Sequence, residues 1–190
     1  MTNRGRLIIL SGPSGAGKST VLRELLGTCD LPLVLSISAT TRAPRPGELD
    51  GREYHFVDQD TFHRLRQENQ FLECKEVFGR GDWYGTMRRE VNRGLEEGKW
   101  VILEIDVQGA LTVQEQVPEA ISFFVHPGSL DELEIRLRRR GTDSDASITR
   151  RLEVAAEEMK AIPRYDHEII NLRFEDTVKI ICDKLHQYVS

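Results

Sequence analysis

The sequence contains no long hydrophobic run, few cysteines and no strong excess of either charge. Its 190 residues are 39% hydrophobic, and no apolar stretch approaches the roughly 18 residues that a membrane-spanning helix needs. The opening segment, MTNRGRLIIL, has too short an apolar stretch for a secretory signal. The 26 basic and 31 acidic side chains leave a net charge of −5, which argues against broad binding to nucleic acid or to anionic membranes. We therefore expect a cytoplasmic globular protein that binds neither nucleic acid nor membrane.

The residues that could bind a metal or form a disulfide are few and widely spaced. The chain has three cysteines, Cys29, Cys74 and Cys182, and no CxxC pair. This spacing predicts neither a disulfide framework nor a structural zinc site, and it is typical of a reducing compartment. The histidines show no ligand spacing either, and we expect structural or surface roles for them. They are His55, His63, His126, His167 and His186.

Strand-like and helix-like segments alternate along the chain, as they do in a parallel sheet with crossover helices. Two of the predicted helices open with a serine, Ser129 and Ser147, which we expect to be their N-caps. Residues 36–57 have a different texture, rich in Thr, Arg, Pro and Gly, and predict a partly β module inserted into an α/β core. The predicted strands are 6–10, 100–105, 121–125 and 167–170, and the predicted helices are 18–26, 129–139, 147–161 and 175–188.

Residues 12–19, GPSGAGKS, match the phosphate-binding pattern G-x-x-x-x-G-K-[ST]. Glycines let backbone N–H groups turn inward around an anion, and the helix that follows adds its positive N-terminal dipole. Lys18 would reach the β- and γ-phosphates, and the Ser19 hydroxyl would bind Mg²⁺. The apolar strand before the loop and the helical pattern after it favour this interpretation over an incidental glycine-rich turn.

A second strand, WVILEID, ends in two carboxylates, Glu104 and Asp106. The carboxyl ends of parallel strands are where α/β proteins bind ligands, so either carboxylate would suit Mg²⁺. Two other roles stay open. The pair would also suit capping of the next helix, and Asp106 would also suit a contact with the second substrate.

Residues 36–86 contain polar side chains suited to a nucleotide acceptor. Arg42 and Arg45 lie three residues apart on a proline-containing loop, and two guanidinium groups there would clamp one phosphate, with the hydroxyl of Tyr54 as a further donor. A carboxylate such as Glu73 can accept two hydrogen bonds from the N1 and N2 edge of guanine, which adenine does not offer.

The segment 136–151 holds a cluster of arginines around a glycine. Arg136 and Arg140 are four residues apart and share a helical face, whereas Arg138 and Arg139 point elsewhere. We expect the first pair to act on phosphates and the others to be solvated. A nucleic-acid patch is the alternative for the run.

Taken together, these strings resemble the guanylate kinase family over nearly the whole chain. The resemblance is carried by GPSGAGKST, SISATTRAPRPGELDGREYHF, FLE at 71–73, YGT at 84–86, EIDVQGA at 104–110 and RLRRRGT at 136–142. It implies an α/β fold with three parts: a three-layer P-loop core with a parallel sheet (1–35 and 87–190), an inserted mixed α/β GMP-binding module (36–86), and a mobile lid (about 136–151).

The resemblance also implies a role for each matching residue. The ATP phosphates would lie on Gly12, Pro13, Ser14, Gly15, Ala16, Gly17, Lys18 and Ser19, with Asn171 near the adenine. The guanine would contact Ser38, Glu73, Thr86 and Asp106, and the GMP phosphate would contact Arg42, Arg45, Tyr54 and Tyr84. The catalytic cations would be Lys18, Arg42, Arg136, Arg140 and Arg151, and Mg²⁺ would be held by Ser19 and Asp106.

The activity implied is the Mg²⁺-dependent reaction of ATP with GMP, giving ADP and GDP in purine nucleotide metabolism, with dGMP left open as a second acceptor. Three rival classes are less compatible with the residues. A guanylate-kinase-like scaffold domain typically loses P-loop and lid residues, which this chain keeps. A sugar-phosphate kinase would lack the TTRAPRPGE string, and a switch GTPase would need an NKxD-type motif, which the sequence lacks.

Overall fold

A computed structural model describes residues 5–77, 81–141 and 144–189 of the chain. Its strands are β1 (Leu7–Ser11), β2 (Leu33–Leu35), β3 (Ala39–Thr40), β4 (His55–Phe56), β5 (Phe71–Val77), β6 (Asp82–Met87), β7 (Trp100–Glu104), β8 (Ile121–His126) and β9 (His167–Ile170). Its helices are α1 (Lys18–Thr28), α2 (Gln59–Gln67), α3 (Arg88–Glu96), α4 (Val107–Gln116), α5 (Leu130–Arg140), α6 (Asp145–Met159) and α7 (Phe174–His186), with a 3-10 turn at Ile162–Arg164. Within these ranges, none of the helices combines the length and apolarity needed to cross a bilayer.

The central sheet is parallel and has the strand order β2-β7-β1-β8-β9. Every residue of β1 is buried, because successive side chains point to opposite faces and both faces are covered. Ile8 and Leu10 pack with residues of α1 and α7, whereas Leu7 and Ile9 pack with residues of α3 and α4. The predicted α/β fold with a parallel sheet is therefore confirmed.

The carboxyl edge of this sheet gathers the motifs that lie far apart in the sequence. β1 runs into residues 12–17 and then α1, while β7 ends at Glu104 just before Asp106. β9 ends immediately before Asn171. Because all the strands are parallel, these three strand ends lie along the same edge and build one site.

A second, smaller sheet has the strand order β4-β3-β6-β5. β3 pairs with β4 in parallel and with β6 antiparallel, and β5 pairs antiparallel with β6. Helix α2 closes one side, where Phe62 stacks on Phe71 with ring centroids 4.5 Å apart. In its ladder Glu73 of β5 lies opposite Thr86 of β6, and Tyr84 of β6 lies opposite Lys75 of β5.

Helices α5 and α6 form a hairpin with its own small core of Leu133, Leu137 and Ile148. The Ser129 hydroxyl accepts a hydrogen bond from Glu132 N and caps α5, as predicted. The predicted cap at Ser147 is wrong. Helix α6 begins at Asp145 and is capped by Ser144, whose hydroxyl accepts the N–H of Ser147, because the earlier of two serines already satisfies the first-turn donors.

The expectation that the cysteines form no disulfide is also wrong. Cys29, which follows α1, is bonded to Cys182 of α7, and their Cα atoms are 5.9 Å apart. The two residues are 153 positions apart in sequence, so their spacing gave no signal; packing of α1 against α7 brings them together. Cys74 is a free thiol.

Candidate active site

Residues 12–19 form a loop whose backbone requires glycine at two positions. Gly12 has φ of 134° and a Cβ atom there would overlap the carbonyl oxygen of Val125 in β8. Gly17 has φ of 90° and directly precedes α1, so the chain enters the helix from a left-handed conformation. The loop therefore presents backbone N–H groups at a helix N-terminus, a geometry suited to phosphate.

The two polar side chains that open α1 make different contacts. Lys18 Nζ donates to the carbonyl oxygens of Gly12 and Pro13, at 2.6 and 3.1 Å, and so lies folded over the phosphate loop. Ser19 Oγ donates to Glu104 Oε1 at 2.6 Å. The structure therefore brings together the loop hydroxyl and the first of the two strand-end carboxylates.

Asp106 contacts the second sheet and the start of α4. Its carboxylate accepts the N–H of Gly109 at 2.8 Å and so caps α4, which was one of the roles left open for it. It also forms an ion pair with Lys75 of β5. Asp106 is therefore positioned between the two sheets.

Glu73 and Thr86 form a pair on adjacent strands. Thr86 Oγ1 donates to Glu73 Oε1 at 2.6 Å, and Thr86 is buried. Desolvation raises the pKa of Glu73, and the nearby carboxylate of Asp106 adds to the rise, while Thr86 opposes it. The other oxygen of Glu73 lies close to Gly109, where a Cβ atom would come within 3.0 Å of it. Three of the four predicted guanine contacts, Glu73, Thr86 and Asp106, are thus brought together.

Arg42 is held at the centre of a polar and aromatic cluster. Its guanidinium donates to both carboxylate oxygens of Glu48 at 3.0 Å each, and its Nε donates to Tyr84 Oη at 3.1 Å. The ring of Tyr54 lies 5.4 Å from the guanidinium carbon and packs edge-on against Tyr84. Hydrogen bonding to Glu48 raises the pKa of Arg42, and burial raises the pKa of Tyr54. Both groups keep their protons at neutral pH, so both are donors.

Arg45 and Ser38 border this cluster. Arg45 is exposed, and its backbone N–H donates to Glu48 Oε2 at 2.7 Å. Ser38 is half-buried between β2 and β3, and its carbonyl oxygen accepts the N–H of His55. The same carboxylate therefore holds both the Arg42 side chain and the backbone of Arg45.

Asn171 lies beneath the phosphate loop and is buried. Its Nδ2 donates to Ala16 O at 2.8 Å, and its Oδ1 accepts from Thr177 Oγ1 at 3.0 Å. Its carbonyl oxygen accepts from Arg136, whose Nε donates to Glu132 at 2.8 Å. Asn171 therefore supports the loop, and the predicted lid residue Arg136 is tied to the core.

The other two predicted lid arginines lie on the α5–α6 hairpin. Arg140 ends α5, and its side chain is outside the described part of the structure. Arg151 is half-buried on α6. The hairpin packs directly over the phosphate loop, since a Cβ atom on Gly15 would come within 3.0 Å of Leu133 and Leu137.

Three site residues went unnoticed in the sequence: Glu48, Lys75 and Glu158. Glu48 lies in the string TTRAPRPGE, so its place three residues after Arg45 was the available signal. The only signal for Lys75 was its two-residue spacing from Glu73, which places both side chains on the same face of a strand. Burial raises the pKa of Glu158 on α6, and the charge of nearby Lys18 opposes that rise. No local sequence pattern marks Glu158, because its proximity to Lys18 depends on how α6 packs in the folded protein.

Comparison with known proteins adds an independent line of evidence. The family model described as guanylate kinase matches residues 4–188. The guanylate kinase of Rhodopirellula baltica is 56% identical over 182 residues, which cover 95% of this chain and 87% of that protein. The guanylate kinase of Trichormus variabilis is 45% identical over 177 residues, covering 93% and 87%. The crystal structure of guanylate kinase from Anaplasma phagocytophilum superposes with a TM-score of 0.76 at 34% identity, covering 98% of this chain and 87% of that one.

Proposed function

The chain belongs to the guanylate kinase family, and we propose that it transfers the γ-phosphoryl group of ATP to GMP, giving ADP and GDP. The observation that carries the acceptor assignment is the Glu73–Thr86 pair, which lies beside Asp106 next to the phosphate loop's edge of the sheet. It supplies a carboxylate and a hydroxyl in a desolvated setting, where hydrogen bonds select strongly for a matching base.

The base of GMP would be read by Glu73 and its neighbours. The Glu73 carboxylate can accept both the N1–H and the N2–H of guanine, and the hydrogen bond from Thr86 Oγ1 holds this carboxylate in its orientation. Asp106 and Ser38 would complete the base contacts. Lys75 would neutralise the charge of Asp106, so Glu73 and Asp106 could lie close together with both carboxylates ionised.

The phosphate of GMP would be held by Arg42, Arg45, Tyr54 and Tyr84. Arg42 is already oriented by the bidentate contact with Glu48, which limits the side-chain entropy lost on binding. Tyr84 Oη accepts a hydrogen bond from Arg42 Nε, and its O–H group would donate to a phosphate oxygen. We propose that residues 36–86 move as one acceptor module toward the core.

The phosphates of ATP would occupy the loop 12–19. Lys18 would leave the carbonyl oxygens of Gly12 and Pro13 and reach the β- and γ-phosphates, a stronger charge-assisted contact. Asn171, buried below Ala16, would keep the loop in shape rather than contact adenine through its amide.

The residues present fit a magnesium ion. Ser19 and Glu104 offer two hard oxygen ligands 2.6 Å apart beside the phosphate loop, and Mg²⁺ prefers such ligands together with phosphate oxygens. The strand-end pattern left both Glu104 and Asp106 open as ligands, and the family resemblance implied Ser19 with Asp106. We propose Ser19 with Glu104, because Asp106 is engaged by Lys75 and Gly109. When bound, the ion would neutralise charge on the β- and γ-phosphates.

Catalysis would rest on positioning and charge neutralisation. The GMP phosphate, mostly dianionic at neutral pH, is already a nucleophile, so no general base is needed. Lys18 and Arg42, with the lid residues Arg136, Arg140 and Arg151, would stabilise the oxygens of the transferred group. Arg136 would exchange Glu132 for a phosphate as the lid, about 136–151, closes and excludes water.

The remaining proposals concern the setting of the enzyme. We place it in the cytoplasm, where ATP and GMP are its partners and neither nucleic acid nor membrane is required. Since the base contacts leave the ribose unspecified, dGMP is expected to serve as a second acceptor.

The test is a coupled ADP-release assay with ATP and Mg²⁺, offering GMP, dGMP, AMP and UMP separately. We expect turnover with GMP and little with AMP or UMP, which lack the N1–H and N2–H edge. A folded protein that transfers phosphate to none of them would overturn the proposal. Binding of GMP without transfer would instead support the scaffold class.

A further inference from the structure

A cluster of potential metal ligands lies at the far end of α1 from the phosphate loop. It contains two sulfurs, an imidazole and a carboxylate, from Cys29, Cys182, His186 and Asp30. One ligand atom from each lies within 4.8 Å of all the others. We propose that, when the two cysteines are reduced, these four side chains form a tetrahedral site for Zn²⁺ that links α1 to α7.

The backbone places the four ligands from only two segments. Cys29 and Asp30 are consecutive and follow the end of α1, while Cys182 and His186 are one turn apart on α7 and share a face. The Cα atoms of the cysteines are 5.9 Å apart. Two thiolates on one zinc, with Zn–S bonds of about 2.3 Å at a tetrahedral angle, have sulfurs about 3.8 Å apart, which side-chain rotation allows at this backbone separation.

The other two ligands are already paired, slightly closer together than two ligands of one zinc ion would be. His186 Nε2 lies 2.9 Å from Asp30 Oδ1. Two ligands with bonds of about 2.0–2.1 Å to one tetrahedral zinc lie about 3.3 Å apart, so a small movement admits the ion between them. Thiolate and imidazole ligands together favour zinc over Mg²⁺ or Ca²⁺.

A cavity with an excess of acidic side chains borders the two cysteines. A cavity of about 330 Å³ between α1 and α7 is lined by both cysteines. Three acidic side chains, Glu24, Glu175 and Asp183, line it against one lysine, Lys179. The local charge therefore favours cations.

The disulfide and the metal site are alternative states of one sulfur pair. Reduction adds two electrons and two protons to the disulfide and gives two thiols. Zinc binding then releases both thiol protons, giving a complex of Zn²⁺ with two thiolates, neutral imidazole and carboxylate. In a reducing compartment, where thiols persist, the metal would replace the covalent link between the helices.

This site is independent of the proposed kinase chemistry. Helix α1 has 11 residues, so Cys29 lies about 16 Å along its axis from Lys18. The Ser19–Glu104 pair contains no sulfur, so a metal bound there gives no thiolate signal. The metal site can therefore be tested without nucleotide.

The experiment uses Co²⁺ as the probe, followed by Zn²⁺. The disulfide is first reduced with a phosphine. The phosphine takes up the oxygen of one water molecule and becomes a phosphine oxide, while the two protons of that water go to the two sulfurs. Excess phosphine is then removed under an oxygen-free atmosphere. We expect a thiolate-to-cobalt charge-transfer band and the visible bands of a tetrahedral ion, saturating at one Co²⁺ per chain. Excess Mg²⁺ should leave these bands unchanged, and Zn²⁺ should bleach them and raise the Tm.

Matched variants locate the ligands. Cys182→Ser should remove most of the charge-transfer band, and His186→Gln and Asp30→Asn should each weaken Co²⁺ at least ~10-fold, since even indirect contacts to a metal are commonly worth that much. Cys74→Ser is the control and should bind as the original chain does. His186 and Asp30 are exposed, so their variants keep the test valid even where Cys182→Ser fails to fold.

Three results would overturn the site. These are the lack of a sulfur band in a reduced protein with intact circular dichroism, unchanged affinity in both His186→Gln and Asp30→Asn, and loss of the band in Cys74→Ser.

Discussion

Replacement of Glu73 by glutamine tests the base-recognition geometry most directly. The change keeps the size of the side chain but removes its charge and turns one of its two acceptors into a donor. Thr86 can still donate to the remaining amide oxygen, so the fold around β5 and β6 should persist. The acceptor site therefore loses guanine contacts without a cavity.

The expected loss follows from hydrogen-bond energies. A hydrogen bond to a charged group contributes about 1.5–3 kcal/mol and a neutral one about 1 kcal/mol. Glu73→Gln removes one charged bond, about 1.5–3 kcal/mol, and turns the other into a neutral bond, a further loss of about 0.5–2 kcal/mol. The total of about 2–5 kcal/mol corresponds to roughly a 30- to 4,000-fold fall in kcat/KM for GMP. The KM for ATP should stay within about twofold of its original value, since Glu73 lies on β5 of the second sheet, whereas the phosphate loop follows β1 of the central sheet.

A second acceptor makes the assay specific. Inosine monophosphate lacks the exocyclic N2 amine, so the original enzyme should prefer GMP over it by about 1.5–3 kcal/mol, roughly 10- to 150-fold. In Glu73→Gln that preference should shrink to a few-fold, because the amide group has only one acceptor oxygen and cannot accept a hydrogen bond from the N2–H as well. Steady-state ADP release with both acceptors measures this directly.

The raised pKa of Glu73 gives a further readout. Because desolvation raises the pKa above its ordinary value of 4.5, the folded state binds this proton more tightly than the unfolded chain. The raised pKa therefore stabilises the folded state at low pH, and this stabilisation is lost as the pH rises from 4.5 through the pKa of Glu73 in the folded protein. Glu73→Gln should remove this pH dependence and leave the protein at least as stable near neutral pH, as urea unfolding would measure. GMP binding to the original chain should weaken as pH falls toward the raised pKa, because the acceptor must be ionised.

The control is Glu96→Gln, which removes one negative charge from an exposed position near the end of α3. It should leave both kinetic constants unchanged. Equal losses with GMP and inosine monophosphate in Glu73→Gln, or a parallel rise in the KM for ATP, would refute the assigned role.

Four further changes test other parts of the structure. Lys18→Ala should lower kcat by ~10³ or more while calorimetry still detects GMP binding, since the phosphate loop loses its cation. Asn171→Ala should cost about 2–3 kcal/mol in urea unfolding and raise the KM for ATP, because Ala16 O and Thr177 Oγ1 lose a buried partner. Ser144→Ala should cost about 1 kcal/mol through loss of the α6 cap, whereas Ser147→Ala should cost less. Cys182→Ser should lower the free energy of unfolding by about 2–4 kcal/mol relative to the oxidised protein in metal-free buffer, since the disulfide closes a long loop. Equal urea midpoints for the two proteins would contradict the presence of the disulfide.

Local chemistry carried much of the fold and the phosphate site. The run LIILS followed by glycines and Lys18 specifies a buried strand, an anion-binding turn and a helix, because each requirement lies within a few residues of the next. The position of Ser129 before α5 was equally local. The N-cap of α6 was missed because two serines three residues apart both satisfy the capping pattern.

Contacts between distant segments needed the tertiary structure. The pairing of Ser19 with Glu104 rather than Asp106 depends on where β7 ends. Glu104 is the last residue of β7 and lies beside Leu10 of β1, whereas Asp106 lies beyond the strand and caps α4. The engagement of Asp106 by Lys75 depends on how the second sheet meets the core.

The sequence alone determined which chemical groups the site contains, since the phosphate loop, the arginines and Glu73 are set by residue identity. Packing decided which of those groups meet. The union of Cys29 with Cys182 and His186 shows this most clearly, because 153 residues separate the sulfurs and only the contact of α1 with α7 brings them together. Side-chain chemistry is a local property of the chain, whereas proximity between distant residues is a property of the folded core.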